Sequence, residues 1–174
     1  VSAVGVARVT SATVSVYLVG SAAGPVDPLL ITNLSVGGTY AVINLSPGKY
    51  VLVASSNGHG CLVSIPVVVS SADQVVEQDL ALPASVELEV TVIDGAGRGI
   101  PRAGIQLTDE ASGLPVPVTL KDGPSDHRGR LVAAGRGPGV YRLRAVLAGW
   151  TSEEARVKVL GVAPAGVALR LRQN

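Results

Sequence analysis

The stretch LSPGKYVLVASSNGH, Leu45 to His59, returns 91 residues later as RGPGVYRLRAVLAGW, Arg136 to Trp150. Such a duplication is a strong constraint, because whatever one repeat folds into must be a unit that can occur twice in one chain. In each repeat a Pro-Gly pair is followed by strict alternation: Tyr50, Leu52 and Ala54 in the first, Tyr141, Leu143 and Ala145 in the second. A period of two is the signature of a strand, so these residues share its buried face. Pro47 presets φ and Gly48 would supply a positive φ, so Ser46–Lys49 reads as a type II turn, as does Gly137–Val140. Gly58 and Gly149 then close the two strands.

The match extends in both directions. Gly38–Val42 aligns with Gly129–Ala133 as a strand leading into the turn, and Val14–Leu18 aligns with Ile105–Asp109. Downstream, Val67–Val69 matches Val157–Val159, and Leu80–Leu82 matches Leu169–Leu171. Short strands at close spacing with turn signals between them argue for an all-β chain of two tandem antiparallel Ig-like or prealbumin-like β-sandwiches, each of roughly 80–90 residues. The boundary falls at Pro83-Ala84-Ser85, giving a first domain over residues 1–83 and a second over 84–174. Val dominates a composition that holds 21 Gly and 11 Pro but no Phe or Met, and no capped helical block is found. Val86, Leu88, Val90 and Val92 alternate with Glu87, Glu89 and Thr91 as a clear first strand of the second repeat. Its counterpart in the first repeat would fall before Val1. Two alternatives follow: Val1–Val9 is itself the first strand, or a neighbouring chain supplies it by β-augmentation.

The second repeat reads SVELEVTVIDGAGRGIPRAGIQL, then DHRGR, then GPGVYRLRAVLAGW. This succession resembles the carboxypeptidase regulatory-like domain, a seven-stranded prealbumin-like sandwich related to the Cna-B repeats of bacterial surface proteins. The resemblance covers residues 85–172, and in the first repeat it starts near Val14. It implies an accessory, adhesive or structural module. Some Cna-B relatives carry a self-formed Lys–Asn isopeptide bond. The lysines here are Lys49, Lys121 and Lys158, none of them in the first strand of the second repeat, so no such bond is expected.

No catalytic, cofactor-binding or metal-binding residues are expected. His59 and Cys61 lie two apart with no orienting acid nearby and read as a strand-end turn with a small buried Cys. His127 reads as a solvated turn histidine. Asp94, Asp109, Glu110, Asp122 and Asp126 have no calcium-loop spacing and read as turn residues. The basic residues Arg128, Arg130, Arg136, Arg142, Arg144, Arg156, Lys158, Arg170 and Arg172 are diluted by acids and nearly free of aromatics. They read as a solvated sheet face rather than a nucleic-acid surface. One Cys excludes an internal disulfide, and the apolar run Cys61–Val69 is too short for a membrane span. A start at Val1 points to a processed or excised chain. Asn33-Leu34-Ser35 and Asn44-Leu45-Ser46 are N-glycosylation sequons.

The repeats disagree at four outward positions. Val51, Val53, Val68 and Ala81 in the first stand where the second has Arg142, Arg144, Lys158 and Arg170. Residues 1–83 carry six charges against 21 in residues 84–174. An apolar outer face usually marks an interface, so these four residues are the expected contact surface. The expectation is a non-enzymatic extracellular or cell-surface structural protein. It would self-assemble into a filament or layer through its first sandwich, with other copies of itself as partners and β-strand addition as one route. A carbohydrate or surface ligand is a further candidate partner; nucleic acid and a membrane span are not. The alternative is an accessory or adhesive module of a larger secreted peptidase or glycan-active enzyme.

Overall fold

The computed structural model describes residues 2–3, 9, 11–19, 27–35, 38–160 and 165–173. Among these every regular element is a strand, and the chain divides into two compact units, Val1–Ala84 and Ser85–Asn174.

The second unit contains β8 (Val86–Ile93), β9 (Gly104–Asp109), β10 (Pro115–Val116), β11 (Thr119–Leu120), β12 (Arg130–Arg136), β13 (Gly139–Val146), β14 (Trp150–Ser152), β15 (Glu154–Val159) and β16 (Ala165–Gln173). They form two sheets, ordered β10-β9-β13-β15 and β11-β12-β8-β16-β14. Alternation sets the core: Val86, Leu88, Val90 and Val92 are buried from β8, as are Leu131 and Ala133 from β12 and Leu169 and Leu171 from β16. Tyr141, Leu143, Ala145, Leu107, Val157 and Val159 are buried from the other sheet. Strand β8 is central, antiparallel to β12 and parallel to β16.

The first unit contains β1 (Ser2–Ala3), β2 (Thr13–Leu18), β3 (Leu30–Asn33), β4 (Gly48–Ser55), β5 (Leu62–Val63), β6 (Val67–Val69) and β7 (Ala81–Leu82). Its main sheet runs β3-β2-β4-β5, with β6 also paired to β4. Tyr50, Leu52 and Ala54 join Val14, Val16, Leu80 and Leu82 in one buried cluster. The register repeats that of the second unit. Tyr50 faces Val67 as Tyr141 faces Val157, and the His59–Ala84 bridge stands where Trp150 pairs with Gln173. Left-handed backbone positions recur at the 91-residue offset too: Gly38 with Gly129, Asn44 with Gly135, and Gly58 with Gly149. Asn44, at φ 61°, is one of the few non-glycine types that tolerates this conformation.

The shared Pro-Gly-x-Tyr is not a type II turn. Neither Gly48 nor Gly139 has a positive φ; each opens its strand. The four letters build a tyrosine corner instead. Tyr50 donates its phenolic O–H to the Ser46 carbonyl at 2.7 Å, and Tyr141 donates to Gly137 at 2.8 Å. The ring folds back over the glycine so closely that a Cβ would meet Tyr50 atoms at 3.3 Å in one repeat and Tyr141 atoms at 3.1 Å in the other.

Candidate functional site

The chemistry-bearing side chains are occupied with structural tasks. Asp94 accepts the N–H groups of Ala96 and Arg98 and pairs with the Arg98 guanidinium. Asp126 accepts from the backbone of Arg128 and Arg130, and Asp109 accepts from Ser112. These hydrogen bonds, led by the one from the Arg98 or Arg130 backbone, hold the Asp94 and Asp126 carboxyls below the usual aspartate range. Arg156 grips Glu110 at 2.8 Å and lowers its carboxyl likewise. Three further bases of the second unit meet acids: Arg142 meets Glu154, Arg172 meets Glu153 and Lys121 meets Glu87. Arg136 departs from the solvated-face expectation. It is fully buried, with a hydrogen bond to the Ala134 carbonyl. Cys61 is buried near Tyr17, whose phenol is raised by burial first and then by Cys61 and Asp27. His59 sits at the strand-end turn beside the Asn57 carbonyl. Among the described residues no group of three or more His, Cys, Asp or Glu converges as a metal site would require.

The four expected interface positions separate into two pairs. Val68 is 57% exposed and Ala81 is exposed. Val51 and Val53 are 4% and 1% exposed within this chain. They do lie opposite Tyr50, Leu52 and Ala54 on β4, but that face is covered as well, so they are not open surface. Strand β4 is thus buried on both faces, whereas its counterpart β13 alternates buried and open positions. Asn33 and Asn44 are both exposed.

The first unit has a groove of about 740 Å³. One wall is 38–45, the floor is Tyr50, Leu52, Val67 and Val69, and the other wall is 72–79. Comparison of the repeats explains its place. Residues 39–45 correspond to β12, and residues 76–80 to the first half of β16. In the second unit β8 lies between these two strands and hydrogen-bonds both. In the first unit the described chain supplies only β1. Ser2 pairs with Ala81 as Ile93 pairs with Arg170, in the same parallel register. Beyond those two rungs both walls lose strand character. Gly38–Val42, expected as a strand from the GTYAV match, is irregular, and so are 43–45 and 76–80. A strand needs a ladder partner for its N–H and C=O groups, and among the described residues no strand pairs with 39–45 or 76–80. Tyr40 and Val42 stay half-buried where Leu131 and Ala133 are buried. Tyr40 bridges the groove by donating its O–H to the Gln78 carbonyl at 2.7 Å, and burial followed by the Asp79 charge raises its phenol. Of the proposed first strand Val1–Val9, Ser2–Ala3 are in a strand and Val9 is buried in the core; Val1 and residues 4–8 lie outside the described residues.

No protein-family model matches the chain, and no curated protein matches it. Solved structures with a similar arrangement include GBS52, the minor pilin of Streptococcus agalactiae, at 12% identity and TM-score 0.43, covering 96% of this chain and 84% of that one. The shaft pilin spaA of Lactobacillus rhamnosus GG is similar at 11% identity and TM-score 0.41, covering 95% of this chain and 88% of that one. BcpA, the major pilin subunit of Bacillus cereus, is similar at 16% identity and TM-score 0.39, covering 77% of this chain and 41% of that one.

Proposed function

We propose that this chain is a non-enzymatic structural protein of an extracellular or cell-surface assembly, and that its first β-sandwich makes the contacts between copies. One observation carries the reading. Ten of the twelve exposed large apolar side chains among the described residues lie in the first unit, including Leu29, Ile31, Ile43, Ile65, Val68 and Val75. The same unit carries six of the chain's 27 charges. An exposed apolar surface with so little charge favours burial against a partner. In this reading Val68 and Ala81 belong to the contact surface, while Val51 and Val53 support it from beneath, and Asn33 and Asn44 are accessible to glycan attachment. Light scattering and electron microscopy of the purified chain test the reading. Multimers are expected, and Ile31→Lys with Val68→Lys should shift them toward monomer without lowering the melting temperature. A native chain that is monomeric at all concentrations overturns it.

A further inference from the structure

We propose that Asn57 is a site of self-modification, at which the backbone nitrogen of Gly58 closes on the Asn57 carboxamide and expels ammonia. The chain has four asparagines, and Asn57 is the one followed by glycine. Asn33 and Asn44 each precede a leucine, whose branched side chain crowds the nitrogen that would have to attack. Asn57 and Gly58 are both exposed, and a Cβ built on Gly58 would meet nothing within 4 Å. The Gly58 N–H makes no hydrogen bond to any of the described residues, so none has to break before that nitrogen reacts. Glycine, here at φ 77°, leaves the Asn57–Gly58 peptide plane free to swing its nitrogen toward the side chain. His59 Nδ1 lies 3.3 Å from the Asn57 carbonyl oxygen, which belongs to the same peptide group. With a proton on Nδ1, the imidazole stabilises the negative charge that this oxygen takes up when the Gly58 nitrogen is deprotonated. The second repeat shows that the fold does not call for these letters. Leu147-Ala148-Gly149-Trp150 makes the same turn: Trp150 N–H donates to the Leu147 carbonyl at 3.1 Å, as His59 N–H does to Ser56 at 3.3 Å, and Gly149 has φ 78°. The glycine alone is common to both turns. The first repeat adds a carboxamide before it and an imidazole after it.

In the first step the bond from the Gly58 nitrogen to Asn57 Cγ forms and the Cγ–Nδ2 bond breaks. Ammonia leaves with the proton taken from the Gly58 nitrogen, and a five-membered imide remains. Water then opens the imide at one of its two carbonyls. Attack at Cγ leaves an aspartate in an unaltered backbone, whereas attack at the main-chain carbonyl leaves an isoaspartate, which lengthens the main chain by one carbon. The second product disturbs the turn that holds the His59–Ala84 bridge and the 2.8 Å bond from Gly60 N–H to the Pro83 carbonyl, both at the end of the first unit. The reaction takes place within one chain and is independent of how copies associate. The test incubates the full chain at neutral pH and physiological temperature and digests it for mass spectrometry. The peptide holding Asn57 should gain about one mass unit and split into aspartate and isoaspartate forms. It should do so about tenfold faster than the peptides holding Asn33 and Asn44, because only Asn57 has a glycine behind it. The mass gain separates this reaction from ring closure at Asp94-Gly95 or Asp122-Gly123, which loses water and regains it. Asn57→Gln should abolish the gain. His59→Trp, which installs the residue of the second repeat, should slow it severalfold while the chain stays folded. The isoaspartate form, separated by its extra negative charge, should melt below the native protein. Asn57 reacting no faster than Asn33 and Asn44 overturns the proposal. An unchanged rate in His59→Trp overturns the role given to the imidazole, and an isoaspartate form that melts with the native protein overturns the coupling to the bridge.

Discussion

Tyr141 donates its hydroxyl to the carbonyl of Gly137, four residues back, and its ring closes over the glycine between them. The bond is buried, so Tyr141→Phe leaves a carbonyl without its donor. A loss of about 1–3 kcal/mol in the stability of the second unit is expected in denaturant titration. Tyr50→Phe should act similarly on the first unit, through Ser46. No loss in either variant would mean the corner is decorative.

Two glycines with nearly equal φ should respond very differently to alanine. Gly149, at φ 78°, has nothing within 4 Å of a built Cβ, so Gly149→Ala pays only the left-handed backbone cost of about 1–2 kcal/mol. Gly129, at φ 76°, would place its Cβ 2.0 Å from the Val92 carbonyl oxygen, and that oxygen is already engaged by Ile100 N–H. Gly129→Ala should therefore cost several kcal/mol and unfold the second unit well below the native melting temperature. Equal melting temperatures for the two variants would refute this ordering.

A basic side chain should discriminate between two valines on the same face of the first unit's sheet. Val51→Arg buries a charge without a partner and should destabilise the first unit severely. Val68→Lys recreates the residue that the second repeat carries, at an exposed position, and should change stability by no more than about 0.5 kcal/mol. Thermal unfolding of both variants decides the matter; a stable Val51→Arg protein would mean that the covered face opens freely.

Acid should weaken the second unit through its turn carboxylates. The folded forms of Asp94 and Asp126 hold their protons less tightly than the ordinary aspartate value of 3.8. Their contribution is therefore complete above that value and is lost as pH falls through the depressed folded values. Asp126→Asn keeps an acceptor for the Arg128 and Arg130 N–H groups but cannot titrate. Its melting temperature should fall less steeply than the native protein's between pH 4 and pH 2. Identical slopes would exclude Asp126 as a contributor.

Much of this fold was legible in the sequence because duplication lets one repeat annotate the other. The buried set Tyr50, Leu52, Ala54 and its second-repeat counterparts follows from alternation alone, and Gly58 and Gly149 do end their strands with positive φ. Three features were not legible. Alternation reports which residues share a face, but not whether the opposite face is also covered, so Val51 and Val53 read as outward surface. Pro-Gly is compatible with more than one backbone, and what selects the corner is the reach of the Tyr hydroxyl, a contact of side chain to backbone. Residues 39–45 have the letters of β12, but strand character is a property of a pair, and letters do not carry the neighbour.

The parallel pairing of first and last strands has a mechanical consequence. In the second unit β8 and β16 share six rungs, from Leu88–Ala165 to Ile93–Arg170. Tension applied at the start of β8 and the end of β16 pulls these strands along their length in opposite senses, so all six rungs bear load together and must shear as a group. Among the described residues of the first unit the equivalent clamp, β1 on β7, has two rungs. Pulled apart from Ser2 and Leu82, that short clamp should yield at a lower force than the longer pairing of β8 with β16.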